Sequence, residues 1–155
     1  LKFEQVGLKE QMVVEETVNV IYAIRIFCKR LLNGIKTSLD TQDALEKFGI
    51  EFFFQQSLES QIKSPFGNAR GSLDIQILRD EIFGRYVFEK SVVSERGDEI
   101  WIPVWALRID RFGNVILGDE GTIEIDAKAI DPRDTAFTAV ARSLLYRMGI
   151  TPKFK

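Results

Sequence analysis

The chain has 155 residues, 45% apolar and 28% charged, with a formal net charge of −2 and no histidine. That composition fits one globular domain large enough to bury its own core. It is too apolar for a disordered chain and lacks the basic excess of a protein that coats nucleic acid by bulk charge. The missing histidine removes Ser-His-Asp and Cys-His catalysis and imidazole metal ligation. The one cysteine, Cys28, removes internal disulfides and cysteine zinc sites.

The first element is an amphipathic helix predicted over residues 9–33, about 37 Å long at ~1.5 Å per residue. Val13, Thr17, Val20, Ile24, Phe27 and Leu31 follow one another at alternating intervals of four and three. Val14, Val18, Ile21, Arg25, Cys28, Leu32 and Ile35 run beside them at the same rhythm. Two adjacent seams make one wide apolar face. A face so broad must be covered by the rest of the fold, by a second copy of the chain or by a partner, and Val13, Val20, Ile24, Phe27 and Leu31 are the expected interaction residues. Cys28 lies within the seam and reads as a small buried apolar group. Asn33-Gly34 is expected to close the helix, because glycine tolerates the left-handed conformation found there.

A second, shorter helix is expected from Asp40, with Ala44, Leu45 and Phe48 on its buried side and a continuation through the phenylalanines to about Ser57. The segment 63–71, with Pro65, Gly67, Asn68 and Gly71, reads as a loop. From residue 72 the apolar period changes to two. Leu73, Ile75 and Ile77 alternate with polar residues, Tyr86 and Phe88 do the same, and Ser94–Asp98 and Arg111–Asn114 read as turns. Residues 100–109 are apolar on both faces, as in a central strand, with Trp101, Trp105 and Leu107 expected on one face. Pro103 lacks a ladder donor and predicts a bulge or a local edge. These segments form an antiparallel meander of four or five strands. The closing helix is capped by Asp131 with Pro132 at its first position, carries the stripe Phe137, Val140, Ala141, Leu144 and Met148, and stops at Gly149.

The fold class is therefore α+β in a single domain, residues 1–155: a helical region over residues 1–62, a loop over 63–71, a β-meander over 72–128 and a C-terminal helix over 131–148 packed on the sheet. No positively charged start with a short apolar run is visible, and the most apolar stretch, residues 18–28, is too short to span a bilayer. The expected location is cytoplasmic and the expected membrane role none.

Three functional readings follow. The first is a non-catalytic interaction or assembly protein acting through the amphipathic N-terminal helix, with a protein partner or a homo-oligomer, no cofactor and no metal. The second is a metal-dependent nuclease of the PD-(D/E)xK type. Asp126-Ala127-Lys128, with Asp110 or Asp119 upstream, resembles that pattern, and it implies Asp110 and Asp126 as magnesium ligands with Lys128 beside the attacked phosphate. Alternating charge on the wet face of a strand produces the same letters. The third is a sheet that stacks single-stranded nucleic acid on Trp101, Trp105, Tyr86 and Phe88. Gly67, Arg70 and Gly71 offer an anion nest or an ordinary loop.

Thr135-Ala136-Phe137-Thr138-Ala139, with Arg142 and Met148-Gly149, resembles the closing helix of a NinX-like phage protein family of unknown function. The resemblance implies a phage or other mobile-element source and carries over no catalytic residue.

Overall fold

The computed structural model describes residues 1–131 and 134–154. In chain order these form helix α1 (Leu8–Leu39), helix α2 (Gln42–Phe48), strands β1 (Glu51–Phe54), β2 (Ser60–Ser64), β3 (Gly67–Leu78), β4 (Glu81–Val93), β5 (Glu99–Ile109), β6 (Asn114–Leu117) and β7 (Ile123–Asp126), and helix α3 (Thr135–Ile150). The strands make one antiparallel sheet in sequence order, β1 to β7. The fold is α+β as expected, but the meander has seven strands rather than four or five.

The added strands lie where a helical tail and a loop were expected. Gly49 takes a left-handed φ of 63° and its N–H closes α2 on the Leu45 carbonyl. Beyond that stop the phenylalanines are free to follow their β preference, and residues 51–54 become β1 with Phe52 buried and Phe53 exposed. The expected helical region over residues 1–62 and loop over 63–71 are thus replaced. The stretch 63–71 holds the end of β2, a tight turn at Pro65-Phe66 and the start of β3, with Ser64 paired to Gly67. The apolar signal there is thin, because only Ile62 and Ala69 turn inward among polar neighbours.

Helix boundaries also move. α1 runs through Asn33-Gly34 to Leu39. Gly34 serves close approach rather than termination: a Cβ there would lie 2.7 Å from Phe137 Cζ and 3.0 Å from Ile130 Cγ2. α2 is capped by Thr41, whose hydroxyl accepts from Ala44 N, rather than by Asp40. α3 is capped by Asp134, which accepts from Ala136 N, rather than by Asp131, and it continues past Gly149 to Ile150. Pro132 lies outside the described residues.

α1 and α3 pack on the same face of the sheet. The core joins Ile24, Cys28, Leu31 and Leu32 of α1 to Tyr86 and Phe88 of β4, Leu107 and Ile109 of β5, and Phe137, Val140 and Met148 of α3. Gly84 of β4 leaves room for Ile24, since a Cβ there would sit 2.7 Å from its Cγ2. The inward row of β4 includes the buried Lys90. Its ammonium donates to the carbonyls of Met148 (2.7 Å) and Thr151 (2.6 Å) and so satisfies the negative end of α3. Burial, and secondarily Lys153, lowers its pKa.

Pro103 does mark a bulge. Glu89 pairs with Pro103 and Phe88 with Trp105, leaving Val104 as the extra residue. The insertion sends Trp101 and Trp105 to opposite faces, against the expectation of one shared face. Trp101 pairs with Ser91 on the open side, and Trp105 pairs with Phe88 on the helix side, ring to ring at 5.8 Å.

Candidate functional site

The expected interaction seam is spent on the chain's own fold. Val20, Ile24 and Leu31 are buried in the core, and Val13 and Phe27 pack against it. Intrachain packing therefore uses these five residues, and they are not a free surface. The reason is geometric: they occupy the arc of α1 that faces β4, β5 and α3.

The second seam divides. Cys28, Leu32 and Ile35 are buried, whereas Val14 and Val18 point outward. With Tyr22 and Ile26 they form a row at intervals of four residues, exposed to 57% (Val14), 79% (Val18), 69% (Tyr22) and 38% (Ile26). From Leu8 to Asn19 no side chain of α1 is buried. This forward stretch is tethered by charge, through Lys9 to Asp80 in the β3–β4 turn (3.3 Å) and Glu16 to Arg111 in the β5–β6 turn (3.1 Å). Leu8 and Met12, with Leu1, Phe3 and Val6 before the helix, are exposed as well. Scattered exposed apolar residues are ordinary, but a continuous apolar row on one helix is not. Tyr22 and Ile26 escaped the sequence reading because the mixed three-and-four rhythm merged two rows; strict four-residue spacing separates the outer one.

Two of the nuclease residues, Asp110 and Asp126, both neighbour Asn114 of β6. Asn114 of β6 is in register with Asp126 of β7, and its side-chain amide donates to Asp110 Oδ2 at 2.9 Å. The carboxylates, however, are engaged in closing turns. Asp110 Oδ1 accepts from the amides of Phe112 (2.8 Å) and Asn114 (2.9 Å), and Asp126 Oδ1 accepts from Lys128 N (2.9 Å). The Lys128 side chain lines a shallow depression with Arg30 and Asn33 of α1. Asp119 lies on the open face and receives both Nε and Nη2 of Arg85 at 2.9 Å, which, with Arg108 nearby, holds its carboxyl below the usual range. Among the described residues no group of three or more Cys, Asp or Glu is placed to hold a metal ion.

The base-stacking surface is not assembled. Tyr86 and Phe88 are fully buried and Trp105 packs against the core. Trp101 alone of the four faces the open side, where Arg70 covers its ring at 4.2 Å and pairs with Glu89 at 3.1 Å. Trp101 borders a polar trough of about 700 Å³ together with Gln61, Arg70, Glu89 and Glu99. Arg70 is thus committed to its neighbours. Gly71 makes room for the Tyr86 ring, from which a Cβ would be 2.5 Å away, so it does not serve an anion nest. The Cys28 thiol is buried and its pKa is pushed up to about 12, which makes it a poor nucleophile.

No helix among the described residues is long and apolar enough to cross a membrane. No protein-family model, curated protein or solved structure matches this chain. The fold defines the chain as α+β with an all-antiparallel meander.

Proposed function

We propose that the chain is a non-catalytic interaction protein that docks a protein partner through the outward side of α1. One observation carries this reading: the exposed row Val14, Val18, Tyr22 and Ile26 on a helix whose forward third, Val13 aside, packs little against its own core. Exposed apolar rows at helical spacing fit recognition of another helix or groove, where side chains four apart act as anchors. The carboxylates weighed for catalysis hold turns together, which favours this reading over the nuclease. A phage or mobile-element source remains within the proposal and rests on the α3 resemblance alone.

The test is the hydrodynamic size of the native chain in extract from its source cells, followed with an antibody. Wild type should run well above its 17.7 kDa mass. Val18→Glu and Tyr22→Glu should return it to that mass with thermal stability unchanged, since both side chains already face water. A wild-type chain that runs as a free monomer both in that extract and when purified at high concentration overturns the reading.

A further inference from the structure

We propose that the outer row of α1 pairs with the same row of a second copy, the two helices running antiparallel. This rests on the reading of α1 as a docking surface and names its partner. The row turned end to end sets Val14 against Ile26 and Val18 against Tyr22, so one surface complements itself about a two-fold axis. Residues four apart form a single ridge, and two such ridges interlock at a crossing of about 50°.

Charge selects the direction. The first turns of the helix carry Lys9, which pairs with Asp80, and then Glu10, Glu15 and Glu16; from 17 to 39 it carries Arg25, Lys29, Arg30 and Lys36 and no acid. Of these all but Lys36 are exposed, and Glu16 is already paired with Arg111 of its own chain. Antiparallel pairing lays the acidic half of each helix over the basic half of the other, whereas parallel pairing brings like charges together. A second copy supplies both the apolar order and this reversal of sign. A single crossing of two ridges is a small interface, which gives reversible, concentration-dependent association.

Sedimentation equilibrium of the purified full chain tests this. A monomer–dimer equilibrium is expected. Val18→Glu should weaken it by at least about tenfold, the expected cost of placing a charge in an apolar contact. Glu15→Lys and Arg25→Glu should each weaken it several-fold, and the two together should restore it. Orientation is read by disulfide trapping. A mixture of Val18→Cys and Tyr22→Cys chains should cross-link between the two variants faster than either does with itself, while the buried native Cys28 stays silent. Three results overturn the proposal: a monomer at every concentration, a dimer indifferent to Val18→Glu, or trapping that favours like with like. A purified monomer that nevertheless runs in a larger, Val18-dependent complex in source extract removes the second copy and leaves the docking reading standing. A monomer in both settings removes both.

Discussion

Tyr86→Phe probes how the first hairpin is held on the sheet. The Tyr86 hydroxyl lies 2.7 Å from the Leu58 carbonyl and 2.8 Å from Ser60 Oγ. It has one proton, so it donates to the carbonyl and accepts from the serine. Leu58 is a buried non-glycine residue at a φ of 69°, a strained conformation that persists only when surroundings fix it. Its N–H is taken by Gln55 O at 2.9 Å, and its carbonyl is held by the tyrosine from β4. The reach passes over β3 at Gly71, the residue that leaves space for the ring.

Removing the hydroxyl strands a carbonyl and a serine hydroxyl in a dry site. The expected loss is about 2 kcal/mol, within the ~1–3 kcal/mol range for an unsatisfied buried group. For a chain of this length that is a fall of roughly 4–8 °C in the unfolding midpoint. Urea unfolding followed by circular dichroism should show a lower midpoint at unchanged slope. Ser60→Ala removes one of the two stranded groups, so the double variant should lose less than the sum of the singles. Amide exchange should quicken first in residues 55–60. A Tyr86→Phe chain within about 0.5 kcal/mol of wild type, with unaltered exchange there, refutes the account; that margin is the usual spread of surface substitutions.

Gly34→Ala should destabilise, although alanine is the better helix former. Propensity contributes about 1 kcal/mol in its favour, and crowding the buried Phe137 costs about 2 kcal/mol, so thermal unfolding should show a net loss near 1 kcal/mol and not a gain. Cys28 predicts an alkaline limit. Its folded pKa is raised from 9.0 to about 12 by burial, so the folded state keeps a proton that the unfolded state releases. The associated stability is present below pH 9 and is lost as pH climbs towards 12, on the order of 2–3 kcal/mol by pH 11. Cys28→Ala should flatten the stability profile over that window relative to wild type, and equal profiles would remove the thiol as its cause.

Much of the architecture was legible where one periodicity ruled. Tyr86 and Phe88 stand two apart between Arg85 and Glu89, and β4 is the centre of the sheet. The turn at Ser94–Asp98 has the glycine its geometry needs, Gly97 at a φ of 85°. Legibility failed where a local signal had a second use. Gly34 carries the letter of a helix stop but stands where Phe137 of α3 packs against α1, and no local pattern distinguishes the two. Asp131 before Pro132 carries the letters of a cap, yet it is Asp134 that accepts from the first-turn amide of α3. β2 escaped notice because a short strand between two others draws its stability from ladder hydrogen bonds, which leave no trace in side-chain type.

The candidate site was half legible, for a related physical reason. A helix lying on a sheet buries an arc, not a set of apolar letters, and the width of that arc is set by the element it packs against. Along α1 it narrows towards the N-terminus. Around Leu32 both seams are covered, because β1 and α3 flank the helix there; around Val18 only the inner seam is near the sheet at all. Val14 and Leu32 therefore share a seam in the sequence and separate in the fold. Composition could reveal that α1 has more apolar surface than one sheet face needs, but not which stretch is left over. That remainder had to wait for the register of α1 on β4, fixed by Ile24 seated over Gly84. Once that register is set, the exposure of Val18 and Tyr22 follows from a helical rotation of about 100° per residue, and a substitution at either position leaves the core untouched.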